Sequence, residues 1–271
     1  MKKLLIFGLI VLALCACDNG KKQLKAAEDR LAKAQVLVAG NNLNAAKVEL
    51  DSLHLLYPKQ VAVRRLAQHL EDSIALLEAT RNKHYADSLL EPLLPETDKQ
   101  VKRFNHEKNG EYEDHGRYVH KLLTTGRNDS RCFLQTYVTD DFRVTLKSYY
   151  YGAASLEQNE IELTAAGHTA KAGGENHAFQ QEGWHEILTV KEEDALNLLQ
   201  FIDAQAEEKI KVSLHGKRDY NYYLSESEKK ALVETRSLAV LMKDVHRLEE
   251  MSNLSERQIE YYSEKLKVKS E

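Results

Sequence analysis

The chain has 271 residues, and its 38 Lys and Arg against 42 Asp and Glu give a formal net charge of −4 at pH 7. This mildly acidic balance excludes an electrostatic attraction to nucleic acid. With 3 Pro and 12 Gly, long disordered linkers are not expected, and the length suits one large domain or two modest ones.

The N-terminal segment predicts export. Lys2 and Lys3 precede an apolar run, Leu4–Leu14, which as a helix is about 16 Å long and too short for the roughly 30 Å hydrocarbon core of a bilayer. We therefore interpret it as the h-region of a signal peptide. Residues 14–17, Leu-Cys-Ala-Cys, resemble the bacterial lipobox, in which a small residue precedes a cysteine that becomes acylated.

This resemblance implies that residues 1–16 are removed and that Cys17 carries the lipid, palmitate or a related acyl chain. Cys15 fits less well, because the bulky Leu14 would occupy the cleavage position. The alternative is an ordinary signal peptide that is cut elsewhere. No later apolar run approaches the ~18 residues of a spanning helix, so the lipid is expected to be the only membrane attachment.

A helical region is predicted for residues 17–108. Apolar residues at three- and four-residue steps give a first helix over Leu24–Val38, and Gly40–Asn42 supplies a left-handed C-terminal cap. A second helix, Leu43–Tyr57, ends before Pro58. Two helices with a tight turn predict an αα-hairpin.

A long third helix follows, predicted from Gln60 to about Glu91. Its near-heptad stripe indicates coiled-coil-like pairing and consists of Val63, Leu66, Leu70, Ile74 and Leu77. Pro92 and Pro95 are expected to break this helix.

Residues 109–224 predict a β-rich domain, because the period changes from helical to alternating after Asn109-Gly110. Five or six strands are expected, enough for one antiparallel sheet or a small sandwich. They are placed at 131–138, 142–147, 161–163, 184–190, 210–215 and 220–223. Residues 165–183 are expected to be a long loop or a wide hairpin. An inserted helix over Glu192–Ala206 is expected to bury Leu196, Leu199 and Ile202.

Residues 225–271 return to a helical pattern. Ser225 and Glu228 fit a capping box, and a heptad-like stripe runs from Ala231 to Leu248. Asn253 and Ser255 predict a turn before a short last helix. The fold class is therefore α+β, with N- and C-terminal helices flanking a central antiparallel β-domain. The two heptad stripes are expected to pair with each other or with another subunit.

Three further features carry a family resemblance. Gly40, Ala46 and Pro58 sit near the turn, small-residue and proline positions of one tetratricopeptide-like unit. With Leu53–Pro58, Gly183–Glu186 and Gly216–Tyr220, the arrangement resembles uncharacterised lipoproteins of the Bacteroidota. That resemblance implies a tethered envelope protein and no known activity.

The location expected from this resemblance is the cell envelope. Asp18 after the lipid cysteine is similar to the inner-membrane retention signal of enteric bacteria, a rule not expected to apply in Bacteroidota. Surface display there tends to use an acidic cluster, whereas Asp18 stands alone before Lys21 and Lys22. The protein is therefore expected at the outer membrane, facing the periplasm rather than the cell surface.

No catalytic motif, cofactor site or metal site is predicted, so the sequence does not favour an enzyme. Four histidines of the β-region could ligate zinc if the strands brought them together, but their spacing matches no metal motif. They are His168, His177, His185 and His215. Chance scatter is the favoured reading of these residues.

The tyrosines give the main functional hypothesis. Three are consecutive, Tyr149–Tyr151, so a strand must place at least one ring on its wet side. Tyr222 and Tyr223 repeat the pattern. We interpret these five as a possible binding surface. The predicted function is a membrane-tethered, non-enzymatic interaction or scaffold protein, with a protein partner or self-association through the helices. The alternative is a glycan-binding or glycan-processing accessory protein.

Overall fold

A computed structural model describes residues 2–108, 115–128 and 130–268, with side chains from residue 20 onward. The chain forms two compact units. The first combines Met1–Ser88 with Glu249–Glu271, and the second is Leu89–Leu248. Each unit has its own apolar core. The predicted α+β class is confirmed, since helices precede and follow the strands of two antiparallel sheets along the chain.

The described helices are α1 (Lys2–Ala39), α2 (Leu43–Leu56), α3 (Val61–Val101), α4 (Thr125–Asn128), α5 (Glu192–Ala204) and α6 (Glu226–Val268). The strands are β1 (Phe104–Glu107), β2 (Arg117–His120), β3 (Phe133–Thr139), β4 (Val144–Gly152), β5 (Glu160–Ala165), β6 (His168–Gly173), β7 (Glu175–Gln180), β8 (Trp184–Lys191), β9 (Lys211–His215) and β10 (Tyr220–Tyr223). They form a six-stranded sheet, β1-β2-β3-β4-β8-β7, and a four-stranded sheet, β10-β9-β5-β6.

The predicted αα-hairpin is present. Ala34 on α1 and Ala46 on α2 are fully buried, and their small side chains let the two helices approach closely. Asn41 adopts the left-handed conformation, with φ of 63°, and its N–H donates to the carbonyl of Val38. The Gly-Asn turn therefore ends α1 as the cap chemistry predicts.

The long helix α3 corrects two expectations. It continues through Pro92 and Pro95. Each proline removes only the bond to the carbonyl four residues earlier, and the residues concerned, Ser88 and Glu91, are exposed, where water can satisfy them. Leu66 of the predicted stripe is also exposed.

The two predicted stripes lie in different cores, which corrects the expected pairing between them. Val63 and Ile74 pack with α1 and α2 in the first unit. Leu238 packs in the core of the sheet-containing unit. Both patterns therefore identify helix faces that are largely buried, but they do not identify what each face packs against.

Helix α6 begins with the predicted capping box. The Glu228 N–H donates to Ser225 Oγ at 3.3 Å, and the Ser225 N–H donates to Glu228 Oε2 at 3.2 Å. The predicted turn at Asn253 and Ser255 is wrong, because α6 continues to Val268. Ser255 is buried on the helix, so its small side chain serves packing and not capping.

The two sheets of the second unit share one apolar core. Leu146 and Leu188 from the six-stranded sheet are fully buried with Leu163 and Val212 from the four-stranded sheet. Strand β4 alternates between this core and the opposite face. Burial on one face is the physical source of the alternation that predicts these strands.

Residues 165–183, expected to form a long loop or a wide hairpin, instead hold β6 and β7, which belong to different sheets. Since β1 and β2 are also not predicted, the described strands number ten and not five or six. Both lie at sheet edges, and β7 is exposed along its whole length. An exposed edge strand has no need for apolar alternation, so the sequence gives no signal there. Gly174 connects β6 to β7. A Cβ at this position would lie only 2.4 Å from the carbonyl oxygen of Thr189, which is why a glycine fits here.

Helix α5 is present, but its buried face differs from the predicted one. Leu198, Leu199 and Ile202 are buried, whereas Leu196 is exposed. The predicted face included one position too many, because Leu196 and Leu198 lie about 200° apart on a helix.

Glu186 of β8 holds the connection that leads from β4 to β5. Its carboxylate is fully buried and accepts hydrogen bonds from the Ser155 hydroxyl (2.6 Å), the Leu156, Glu157 and Gln158 N–H groups (2.6, 2.9 and 2.8 Å) and the Asn176 amide (3.0 Å). Burial raises the pKa of this carboxyl, but these donors outweigh that effect and hold the pKa below its ordinary value.

Two further sequence predictions concern residues that the structure does not describe, or describes only in part. The side chain of Cys17 lies outside the described residues. The predicted boundary at 109 falls in 109–114, also outside them, and β1 already precedes it at Phe104–Glu107. Within the described residues, the helices include none with the length and apolarity needed to cross a membrane.

Candidate functional site

An aromatic row crosses the face of the six-stranded sheet that points away from the shared core. Tyr149 and Tyr151 of β4 lie on this face, because alternate residues of a strand share a side. Their cross-strand neighbours are Phe133 of β3 beside Tyr149 and His185 of β8 beside Tyr151. Phe179 of β7 extends the row beside His185.

The rings of this row pack against one another in two groups. Phe133 and Tyr149 are stacked, with centroids 4.7 Å apart and planes at 8°. His185 stacks on Phe179 at 4.9 Å and 4°, and packs against Tyr151 at 4.9 Å. Within each stacked pair the ring planes are therefore nearly parallel, on a backbone fixed by the hydrogen bonds of the sheet.

A cavity of about 560 Å³ opens over this row. Its volume lies in the range of small-molecule sites, roughly 300–1,000 Å³. The cavity is lined by Thr125, Asn128, Ser130, Arg131, Phe133, Tyr149, Tyr150, Tyr151, Phe179, Gln181, Glu182, His185, Glu186 and Ile187. An apolar floor with a polar rim is the usual composition of a ligand site.

Tyr149 acts in this cavity as a neutral platform. Burial raises its pKa to about 12, so the phenol stays protonated at physiological pH. Its hydroxyl donates to Gln135 Oε1 at 3.2 Å, and Gln135 Nε2 donates to the Leu123 carbonyl at 2.5 Å. This chain of bonds fixes the ring.

The turn between β7 and β8 fixes the other ring group. The Tyr151 hydroxyl donates to the Glu182 carbonyl at 3.1 Å, and His185 Nε2 lies 3.0 Å from the Gln181 carbonyl. Glu182 and Gly183 both have positive φ. A Cβ at Gly183 would lie 2.8 Å from the Tyr151 ring, so glycine lets the turn close over this ring.

Arg131 supplies the cationic part of the rim. Its guanidinium lies 5.7 Å from the Phe133 ring centroid, a cation–π distance. Its Nε donates to Asn128 Oδ1 at 2.7 Å. Asn128 is held in turn by the Leu122 and Thr124 carbonyls. The Asn128 amide therefore holds the Arg131 guanidinium in its position at the rim.

The five tyrosines predicted as one surface are divided by the structure. Tyr149 and Tyr151 belong to the aromatic row. Tyr150 points to the core and donates to the Ala154 carbonyl, although it also borders the cavity. Tyr222 has a buried hydroxyl without a hydrogen-bond partner, and Tyr223 is 63% exposed on β10. Neither of the last two lines the cavity.

Sequence reasoning missed Phe133, Phe179 and Arg131 as site residues. Phe133 lies in a stretch that is predicted to be a strand, so the sequence does contain a signal for it. This strand, β3, pairs with the strand of Tyr149. Phe179 carried no signal, since β7 was not recognised as a strand. From the sequence, His185 is a candidate only for zinc binding. In the structure, its imidazole ring is part of the aromatic row.

Comparison with protein families, with curated proteins and with solved structures finds no significant match to this chain. The site must therefore be interpreted from its own geometry.

Proposed function

We propose that this protein binds carbohydrate, and that the ligand occupies the cavity over the aromatic row. The observation that carries the proposal is the pair of stacked ring groups, Phe133 with Tyr149 and His185 with Phe179, on the floor of a 560 Å³ cavity. A pyranose ring has an apolar C–H face that packs on a π-face, and it carries hydroxyls at its edge.

The polar rim of the cavity favours a ligand that is rich in hydroxyl groups, such as a carbohydrate, and not a purely aromatic ligand. Thr125, Ser130 and Gln181 offer hydroxyl and amide groups around the floor. Arg131 adds a guanidinium whose Nε and Nη1 bond to Asn128 and Glu228. A cavity of this volume takes a mono- or disaccharide. The glycan-binding alternative of the sequence analysis is thereby the favoured function.

Replacing Tyr151 by alanine is expected to weaken oligosaccharide binding about tenfold, which corresponds to ~1.4 kcal/mol, because it removes one ring of the aromatic row. An array of soluble oligosaccharides identifies the ligand, and calorimetry measures its affinity. Tyr151→Phe keeps the ring and is expected to retain most of the affinity.

Tyr223→Ala is the matched control, since it removes an exposed tyrosine that does not line the cavity. Equal weakening by both alanine variants contradicts the proposal, as does an array without any bound saccharide. Circular dichroism of each variant separates lost binding from lost folding.

The proposed tether is the lipid at Cys17. Cys17→Ser is expected to abolish acylation, detected by mass spectrometry, and to shift the protein out of the membrane fraction. Cys15→Ser is the control and should change neither. Continued membrane partitioning of Cys17→Ser overturns the assignment.

A second candidate function is a tethered interaction protein. Apolar side chains are exposed where α2 leads to α3, with Leu55 79% exposed beside Leu56, Val61 and Leu66. An exposed apolar patch of this kind favours a protein partner. In-cell crosslinking and purification test it, and recovery of the protein alone contradicts it.

A further inference from the structure

The outer face of the four-stranded sheet gathers a histidine and two carboxylates. Glu160 and Glu162 lie two residues apart on β5 and so share a side. His215 of β9 is the direct cross-strand partner of Glu160. One ligand atom from each of the three lies within 4.8 Å of the others. All three belong to adjacent, paired strands, so the backbone positions are fixed.

His215 is oriented by a fourth residue. Its Nδ1 lies 3.0 Å from Asp219 Oδ1, so the Nδ1–H donates to this carboxylate. The other nitrogen, Nε2, then carries a lone pair. It is buried, makes no hydrogen bond, and lies 3.3 Å from Glu162 Oε2. Two electron-pair donors that face each other at this distance are stabilised by a proton or by a cation placed between them or beside them.

Lys171 shows that this position attracts positive charge. Its Nζ lies 2.5 Å from Glu162 Oε2 and 3.5 Å from Glu160 Oε1. The lysine side chain is half exposed and comes from the edge strand β6. It can therefore swing into solvent without disturbing the sheet.

We propose that Glu160, Glu162 and His215 form a site for a divalent transition metal of the zinc class, with Lys171 as the internal cation that the metal displaces. Imidazole nitrogen with carboxylate oxygen is a ligand set that suits Zn²⁺ and not Mg²⁺ or Ca²⁺. Asp219 completes a carboxylate–histidine–metal arrangement, in which the outer carboxylate fixes the ligating tautomer.

The expected coordination is incomplete with protein ligands alone. Three ligands leave the fourth tetrahedral position of zinc to water or to a bound molecule. Bond lengths near 2.0–2.2 Å require the three ligand atoms to draw closer together. The two glutamate side chains have the rotatable bonds to do so, whereas His215 is held by Asp219. The metal site stands on its own residues and does not depend on carbohydrate binding.

Calorimetric titration of the chelator-treated full chain with Zn²⁺ tests the proposal. The wild-type protein is expected to bind one Zn²⁺, and His215→Ala is expected to lose it. Lys171→Met is expected to tighten binding about threefold, because it removes a competing exposed ion pair. His168→Ala, an exposed histidine on the same sheet, should leave the affinity unchanged.

If His215→Ala folds poorly, the expected increase in Zn²⁺ affinity of Lys171→Met still tests the site. This variant is expected to fold, because Lys171 is a partly exposed residue on an edge strand. A wild-type chain without Zn²⁺ binding overturns the site. Binding that is weakened by Lys171→Met, or equally lost in His168→Ala, overturns the assignment of these ligands.

Discussion

Glu186→Ala is expected to lower the free energy of unfolding by about 3–5 kcal/mol, because it removes the acceptor of a buried hydrogen-bond network. The substitution leaves the buried N–H groups of Leu156 and Gln158 without their acceptor. The Glu157 N–H and the Ser155 hydroxyl, both at part-buried sites, lose it as well. The connection from β4 to β5 also contains Glu157 with a positive φ of 52°, a conformation that costs energy and is held by this carboxylate. Urea denaturation at neutral pH measures the loss.

Glu175→Ala is the matched control, because that glutamate is exposed on edge strand β7 and should cost less than about 0.5 kcal/mol. A similar loss in both variants would show that the buried network contributes little.

The same carboxylate gives a pH dependence with a definite sign. Its pKa in the folded state lies below the ordinary 4.5, so the unfolded state binds the proton more readily. The stabilisation is therefore complete above about pH 4.5 and is lost as the pH falls through the folded-state pKa. Glu186→Gln, which cannot titrate, should be less stable at neutral pH and should lose less stability on acidification.

Phe133→Ala is expected to cost about 3–5 kcal/mol, because it removes a fully buried ring and leaves a cavity. The ring is 1% exposed, stacks on Tyr149 and lies under Arg131. Phe179→Ala removes the same side chain from the same ligand cavity. That ring is 39% exposed on an edge strand, so the expected loss is about 1 kcal/mol or less.

Thermal and urea unfolding of the two phenylalanine variants measure this difference. Equal losses would contradict the assignment of Phe133 to the buried end of the aromatic row and of Phe179 to its exposed end. Oligosaccharide affinity is expected to fall in Phe179→Ala while the fold is retained, which makes this variant the cleaner probe of binding.

The parts of the fold that sequence predicts are those with a local physical signal. Gly40–Asn42 ends α1 because a left-handed residue is chemically specified there, and Ser225 with Glu228 begins α6 through reciprocal bonds. Strand β4 alternates because one of its faces is buried. Each signal depends only on neighbouring residues.

The parts that escape prediction depend on distant residues. Strand β7 exists because β8 pairs with it, and its own residues are polar and exposed. Helix α3 passes Pro92 because the freed carbonyl faces water. The candidate site follows the same rule, since Tyr149 and Tyr151 stand out in the sequence while Phe179 joins them only through the pairing of β7 with β8.

The strand order has a consequence for the speed of folding. The pairing of β4 with β8 closes a loop that contains β5, β6 and β7, and two of these belong to the other sheet. Closing so long a loop costs chain entropy before any contact repays it. The α1–α2 hairpin, whose partners are neighbours in the chain, is expected to form on a faster timescale. The sheet that carries the ligand cavity is therefore expected to form more slowly than this hairpin.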